Sequence, residues 1–208
     1  MKWVVGIDEV GRGALAGPVM VAAVAFAADR NGHIIPREFR GLKDSKRLSP
    51  AARERWARKL RNHLHVRFAI ARVYPRGIER MNISAAANRA AKRAFDRLRT
   101  ANGFSGKITI RLDGGLFLGD RERERHEFPG AQTVIKADER FPEVAAASII
   151  AKVARDRFMV RLAARFPAYG FEAHKGYGTA AHRRAIDSAG PCVMHRLTFL
   201  KNGATIHT

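Results

Sequence analysis

Apolar residues along the chain occur in two patterns, short continuous runs typical of buried strands and longer stretches in which they recur at helical spacing. The short runs predict strands at KWVVGIDEV, PVMVAAVAF, KITIRLDGG and AQTVIKAD, and the alternation of HVRFAIARVY predicts a fifth. The longer pattern predicts helices at SPAARERWARKLRNHL, SAAANRAAKRAFDRLR, FPEVAAASIIAKVARDRFMVRLAARF and AAHRRAIDSAG. Strands and helices interleave, which predicts an α/β fold with a helical C-terminal part.

Two of these helices carry start signals. Ser49 and Pro50 supply an N-cap and a first-turn proline for the first, and Pro142 with Glu143 opens the longest. The length of 208 residues suits one domain, and no Pro- or Ser-rich linker divides the chain. We therefore expect a single domain over residues 1–208.

The charge balance indicates a polyanionic partner. Lys and Arg number 39 against 19 Asp and Glu, a formal net charge of +20, with a pI of about 11.4. Residues 51–104 hold 14 basic and 3 acidic side chains, hence +11, more than half of the total excess. Nucleic acid is the first candidate partner, and this segment is the candidate face for tracking its backbone.

Two further features concern location. A single cysteine, Cys192, excludes an internal disulfide and fits a reducing, cytoplasmic environment. The apolar run 19–28 is too short to cross a bilayer, and Asp8, Glu9 and Arg12 interrupt the region that a signal sequence would occupy. The sequence thus predicts a cytoplasmic protein without a membrane anchor.

Four carboxylates follow apolar strands. Asp8 and Glu9 end the first run, Asp113 ends KITIRL, and Asp138 ends TVIKA. One such acid alone is typical of a turn or a helix cap, but four acids brought together repel each other and require protons or cations. Oxygen ligands without His or Cys suit Mg²⁺ or Mn²⁺, and two such ions promote phosphoryl displacement. A basic protein with this pocket is expected to cut nucleic acid.

Several motifs together carry a family resemblance. The segments GIDEVGRGALAGP, GLKDSKRLS, AAASIIAKVARDR and HKGYGT, in this order, resemble ribonuclease HII, the type 2 ribonuclease H, from about Gly6 to Phe199. The resemblance implies a ribonuclease H-like mixed sheet flanked by helices. It also implies a C-terminal substrate-binding extension over about residues 165–208, and a monomer is expected.

The resemblance also implies the roles of individual residues. It assigns Asp8, Glu9, Asp113 and Asp138 as catalytic ligands of two Mg²⁺ or Mn²⁺ ions. The glycine loop of Gly11, Arg12 and Gly13 would read the 2′-hydroxyl at an RNA–DNA junction, and Tyr177 would stack on the following deoxyribose. Lys46 would contact phosphate. The implied reaction is hydrolysis 5′ to a ribonucleotide, in an RNA–DNA hybrid or embedded in duplex DNA, as in ribonucleotide removal.

Alternatives remain at this point. A non-catalytic nucleic-acid binder explains the charge but not the four acids, and another nuclease or strand-transfer enzyme of the same fold would need similar acids. Neither explains GRG together with HKGYGT. The histidines His174, His182 and His195 lack the spacing of metal ligands, so we expect them on helix surfaces or in loops.

Overall fold

The computed structural model describes residues 2–29, 31–40, 42, 48–102, 104, 107–118, 127–128 and 130–201. Its sheet contains the five predicted strands, which are β1 (Lys2–Val10), β2 (Val19–Ala28), β3 (Val66–Val73), β4 (Ile108–Asp113) and β5 (Ala131–Val134). Their order across the sheet is β3-β2-β1-β4-β5. β1 pairs antiparallel with β2 and parallel with β4, so the sheet is mixed, as expected.

The helices are α1 (Pro50–Asn62), α2 (Pro75–Met81), α3 (Ile83–Asn102), α4 (Ala137–Arg140), α5 (Pro142–Arg165), α6 (Phe171–His174), α7 (Ala180–Ala189) and α8 (Leu197–Lys201). Short 3₁₀ helices cover Arg37–Phe39 and Pro167–Tyr169. The start of α1 is as predicted, because the Ser49 hydroxyl accepts a hydrogen bond from the Ala52 N–H at 3.2 Å. No described helix combines the length and apolarity needed to cross a membrane.

Strand β2 contributes side chains to two hydrophobic cores, one on each face of the sheet, and all ten of its residues are buried. Because side chains alternate along a strand, Ala23 and Ala25 pack with the alanines of α3 on one face, while Val24 and Phe26 pack with α5 on the other. A third cluster joins the end of α5 to Phe171 of the C-terminal helices. The sheet is thus covered on both faces.

Gly6 lets α5 lie directly against the central strand. A Cβ at this glycine would come within 2.2 Å of the backbone carbonyl carbon of Glu143, so any side chain would push the helix away. From this contact α5 passes the end of β1, bringing Ser148 and Lys152 to the cavity where Asp8 and Glu9 lie. The close approach therefore helps to build the site.

Candidate active site

Asp8 and Glu9 lie at the carboxyl end of the central strand β1. Asp8 is 4% exposed, and its Oδ1 accepts a hydrogen bond of 2.7 Å from the Glu9 N–H. Burial and then the Glu9 charge raise the pKa of Asp8 well above its ordinary value, against a hydrogen bond from Ser148 that lowers it. A cation beside Asp8 would offset this cost of carrying a buried charge.

Asp113 ends β4, the parallel neighbour of β1. Leu112 pairs in register with Ile7, so the next residues, Asp113 and Asp8, lie side by side at the ends of their strands. Burial is the main cause of the raised pKa of Glu9, and the charge of Asp113 adds to it, as it does for Asp8. These three acids line one cavity of about 350 Å³.

Asp138 does not end a strand, so the sequence prediction is wrong on this point. β5 stops at Val134, the backbone passes through a left-handed conformation at Lys136 (φ 54°), and Asp138 lies in α4. It is fully buried and is not among the described residues that line the cavity. The preceding Ala137 N–H nevertheless donates to Oδ1 of Asp113 at 2.6 Å, which ties α4 to the cavity.

The oxygen ligands of the cavity suit a hard divalent cation, although the carboxylates are not close enough together to coordinate one in this structure. Within the described part of the chain, no group of three or more His, Cys, Asp or Glu side chains could hold an ion as it stands. The acids of the cavity offer only oxygen donors, which Mg²⁺ and Mn²⁺ prefer. The Oε2 of Glu9 is buried and accepts no hydrogen bond from the described residues, so it is available as a ligand.

Arg12 offsets part of the negative charge. Its Nη1 lies 3.3 Å from Oε1 of Glu9, and its Nη2 donates to the Ser84 hydroxyl of α3 at 2.9 Å. The guanidinium lowers the pKa of Glu9, but burial outweighs it and the net shift is upward. Arg12 thus touches the acid cluster as well as belonging to the glycine loop.

A buried arginine, Arg196, holds the glycine loop from inside the protein. Its guanidinium is fully buried and donates to the carbonyls of Gly11 at 2.7 Å, Arg12 at 2.8 Å and Gly17 at 2.9 and 3.1 Å. Burial lowers the pKa of Arg196 to about 9, so it stays largely charged at neutral pH. The segment HRLTF gave no indication of this role.

A second buried arginine, Arg155, completes the support. It donates to the carbonyls of Ala16 at 3.0 Å, Pro18 at 3.1 Å and Lys175 at 2.8 Å. Several loop carbonyls therefore point inward at the two guanidiniums, while the N–H groups of Arg12 and Gly13 donate to no described acceptor. Because Arg12 and Gly13 line the cavity, these N–H groups are available to an anion or a hydroxyl bound there.

Glycine is favoured at positions 11 and 13 of the loop for two different physical reasons. Gly11 has a φ of 83°, and a Cβ there would lie 2.2 Å from Nε of Arg155, so any other residue would be strained and would displace Arg155. A Cβ at Gly13 would meet nothing within 4 Å. Gly13 therefore leaves open space in the cavity wall through which a nucleotide could approach the backbone.

Tyr177 lies half-buried on the same cavity, beside the glycine loop. The N–H groups of Leu15 and Ala16 donate to the Gly176 carbonyl at 2.9 and 3.2 Å, which joins the two loops directly. The guanidinium carbon of Arg155 lies 5.2 Å from the centre of the Tyr177 ring. One buried cation thus contacts both candidate substrate-reading elements.

The histidine prediction is wrong for two of the three residues, because His182 and His195 are buried. The Cys192 N–H donates to Nδ1 of His195 at 2.9 Å, which leaves the proton of the neutral ring on Nε2. This Nε2 donates to Nε2 of His182 at 3.1 Å, and Nδ1–H of His182 donates to the Tyr177 carbonyl at 3.0 Å. Burial lowers the pKa of His182 to about 4 and lowers that of His195.

Lys46 lies outside the described residues, so its expected phosphate contact cannot be placed in the site. The structure adds two basic residues that sequence reasoning did not single out, Arg53 of α1 and Lys152 of α5, both on the cavity wall. Arg53 is one of many arginines in a basic helix, and no local pattern distinguishes it from its neighbours.

Comparisons with known proteins agree over nearly the whole chain. The family model described as Ribonuclease HII matches residues 5–202. A ribonuclease HII of Nitratidesulfovibrio vulgaris is 43% identical over 201 residues, covering 93% of this chain and 84% of that protein. The structure is similar to that in the PCNA:RNase HII complex from Archaeoglobus fulgidus, with a TM-score of 0.72 and 30% identity over 100% of this chain and 97% of that one.

A more distant structure is also similar. Bst-RNase HIII, solved in complex with Mn²⁺, gives a TM-score of 0.70 at 25% identity, covering 94% of this chain and 66% of that one. The agreement of sequence, fold and cavity leads to one conclusion. The chain belongs to the ribonuclease HII family, has the ribonuclease H-like fold and is an endoribonuclease of the ribonuclease H class.

Proposed function

We propose that this enzyme hydrolyses the phosphodiester 5′ to a ribonucleotide, in RNA–DNA hybrids and at single ribonucleotides embedded in duplex DNA, leaving a 3′-hydroxyl and a 5′-phosphate. One observation carries the proposal. A single cavity is lined by Asp8, Glu9, Asp113, the loop Gly11–Gly13 and Tyr177. Acids for divalent ions and groups for recognising a sugar are therefore within reach of the same nucleotide.

Recognition of the ribonucleotide is assigned to the glycine loop. The 2′-hydroxyl distinguishes RNA from DNA at a given position, and both donors and acceptors can bind it. The N–H groups of Arg12 and Gly13 have no described acceptor, and Gly13 leaves the approach open. Because the two buried arginines fix the inward carbonyls, the loop is held in position before the substrate arrives.

Tyr177 is assigned to the deoxyribose that follows the ribonucleotide. An aromatic ring stacks well on a sugar or base that lacks an obstructing hydroxyl, and stacking contributes about 1–3 kcal/mol per base. The link from Gly176 to Leu15 and Ala16 fixes the spacing between the ring and the glycine loop. The two loops would thus read adjacent sugars across a junction.

The acids are assigned to two Mg²⁺ or Mn²⁺ ions. Asp8, Glu9 and Asp113 would hold them, and Asp138, one residue beyond the Ala137 N–H that binds Asp113, is the proposed fourth ligand. When bound, such ions activate a water and stabilise charge on the reacting phosphate. Arg12 keeps Glu9 oriented, and Ser148 does the same for Asp8.

The C-terminal helices are assigned to substrate binding. Residues from about 165 onward carry Tyr177 and the basic helix α7, and their core joins the end of α5. We also propose that the enzyme is a monomer.

The test is a cleavage assay on one labelled DNA duplex with a single embedded ribonucleotide, beside its all-DNA twin, in Mg²⁺, Mn²⁺ or chelator. We expect metal-dependent cutting only 5′ to the ribonucleotide. Equal cutting of both duplexes, or cutting in chelator, would overturn the proposal.

The control variant is Asp8→Asn. It keeps the size of the side chain and removes the charge, so cutting should fall by at least about 1,000-fold, a loss of about 4 kcal/mol in transition-state stabilisation. Duplex binding should persist, because it depends mainly on phosphate contacts. Full activity in this variant would remove Asp8 from the catalytic assignment.

A further inference from the structure

A second cavity, of about 330 Å³, is lined mainly by arginines. We call it the arginine pocket, and it comprises Arg61, Arg72, Arg97, Arg157 and Arg161, with Met20, Ile70 and Ala154. Three of the arginines come from the basic segment 51–104, and the other two come from α5. Residues that are far apart in the sequence therefore converge on one surface.

Most of these guanidiniums are braced by neighbours. Arg97 donates to the Ile70 carbonyl at 2.8 Å, and the guanidinium carbon of Arg72 lies 5.6 and 5.7 Å from the rings of Tyr74 and Phe158. Arg61 lies 5.9 Å from the ring of Phe68. Side chains that are already ordered lose less entropy on binding, so the pocket is prepared for an anion.

The positive charge of the pocket is only partly balanced. Arg157 pairs with Glu54 through two hydrogen bonds, but no described carboxylate pairs with Arg61, Arg72 or Arg161. Burial and then the nearby Arg157 lower the pKa of Arg61, which is the direction expected where like charges are crowded. An anion bound among them would relieve this repulsion.

The pocket is a neighbour of the active-site cavity. Arg53 lines the cavity and the next residue, Glu54, binds Arg157 of the pocket. Across the sheet, Val10 of the cavity pairs in register with Met20 of the pocket, so adjacent strands line the two cavities. Arg157 and Arg161 lie about 7.5 and 14 Å beyond Lys152 along the axis of α5, on another face of that helix. Because successive phosphates of one strand are 3.4 Å apart along the duplex axis, a separation of this size would span about two to four nucleotides.

We propose that the arginine pocket binds backbone phosphates of the substrate duplex about two to four nucleotides from the ribonucleotide. The proposal rests on the proposed function for its position, but not for its chemistry. Guanidiniums bind phosphate oxygens with paired hydrogen bonds, and such contacts carry affinity without reading sequence. The pocket therefore holds the register of the duplex while the glycine loop and Tyr177 inspect the sugars.

The first arm of the test measures affinity without cleavage. The variant with Arg72→Gln and Arg161→Gln is compared with a control carrying Arg37→Gln and Lys107→Gln, two exposed basic residues outside both cavities and outside residues 51–104, with the same change of charge. Binding of an all-DNA duplex in chelator is followed against salt concentration. The slope of log K against log salt is negative, and each phosphate contact contributes about 0.9 to its magnitude. We expect this magnitude to be smaller by about 1–2 in the pocket variant.

The second arm locates the contact. Ribonucleotide-containing duplexes with one neutral methylphosphonate at successive positions are cut by wild type and by the pocket variant. We expect wild type to lose about tenfold in kcat/KM at positions two to four nucleotides away on one strand, and the pocket variant to lose much less there. Such a coupling would show that the phosphate at that position interacts with the arginines of the pocket.

The outcomes separate the two proposals. The arginine-pocket proposal would be overturned if the pocket variant and its control had the same slope of log K against log salt. It would also be overturned if, at every position, the methylphosphonate reduced kcat/KM equally in wild type and in the pocket variant. Tight binding of pyrophosphate to wild type, without coupling to any methylphosphonate, would assign the pocket to free anions and also overturn it. Failure of wild type to cut at the ribonucleotide, with the salt-slope effect present, would overturn the proposed function and leave the phosphate contact standing.

Discussion

Gly11 and Arg155 pack so closely that the space a Cβ of Gly11 would need is filled by Nε of Arg155, 2.2 Å away. The arginine cannot move aside without giving up its hydrogen bonds to Ala16, Pro18 and Lys175. The backbone conformation of the glycine loop and the packing of the interior are therefore coupled at this glycine.

Gly11→Ala should damage cleavage more than binding. The positive φ costs a residue with a Cβ about 1–2 kcal/mol, and the contact with Arg155 adds to that cost. We expect kcat/KM on a single-ribonucleotide duplex to fall at least about tenfold, with duplex affinity little changed. Gly32→Ala is the matched control, since Gly32 has a φ of 87° but open space around its Cβ. Equal losses in both variants would show that backbone strain alone is responsible.

Arg196→Met should destabilise the protein strongly. The substitution removes a buried guanidinium that donates hydrogen bonds to the carbonyls of Gly11, Arg12 and Gly17. Each buried acceptor that is left without a hydrogen bond costs about 1–3 kcal/mol. We expect the free energy of unfolding, measured with urea, to fall by at least about 3 kcal/mol. The exposed Arg184→Met should change it by less than about 0.5 kcal/mol. A stable Arg196→Met with normal cleavage would contradict the supporting role.

Stability should fall between pH 6.5 and about 4 because of the buried histidines. The pKa of His182 is about 4 in the folded protein and about 6.5 in the unfolded chain, so the unfolded chain binds more protons in this range. The contribution of neutral His182 to the free energy of unfolding is complete above pH 6.5 and is lost as the pH falls toward 4. We expect His182→Gln to show a shallower loss of unfolding free energy over this range than wild type. His33→Gln, at an exposed histidine, should follow wild type.

Millimolar Mg²⁺ should raise the melting temperature. An ion that binds only the folded protein stabilises it by about 1.4 kcal/mol at ten times its Kd, which corresponds to about 3–6 °C for a chain of this size. The gain should vanish in the double variant Asp8→Asn and Asp113→Asn. This variant should also melt higher than wild type in chelator, because burial, and then repulsion from Glu9, raise the pKa of Asp8 and make its charged form costly. A shift with Mg²⁺ that survives both substitutions would place the ion elsewhere.

Much of the candidate active site follows from local sequence. Asp8, Glu9 and Asp113 end apolar strands, and β1 and β4 are parallel neighbours, so the acids meet at one end of the sheet. Gly11 marks a backbone conformation in which a side chain would collide with Arg155. Strand alternation, helical spacing and caps depend on residues close in the chain, which explains why these elements were predictable.

Asp138 shows where a local pattern was insufficient. The apolar run AQTVIKA suggested a strand that reached the acid, but pairing with β4 lasts only from Ala131 to Val134. Beyond that point the chain turns, and the contact between Ala137 and Asp113 sets the position of α4. Where a strand ends depends on its partner, which a single run of residues does not contain.

The sequence by itself determined the order of the five strands and of the four longest helices, three of the acids at strand ends and the glycine loop. Only the tertiary structure decided that Arg155 and Arg196 are buried beneath that loop, that His182 and His195 are buried neighbours of Tyr177, and that five arginines share a pocket. Arg196 binds Gly11 across 185 positions of sequence. A charged or titratable side chain of this kind looks like a surface residue until folding brings distant carbonyls around it, because its partners lie beyond the range of any local pattern.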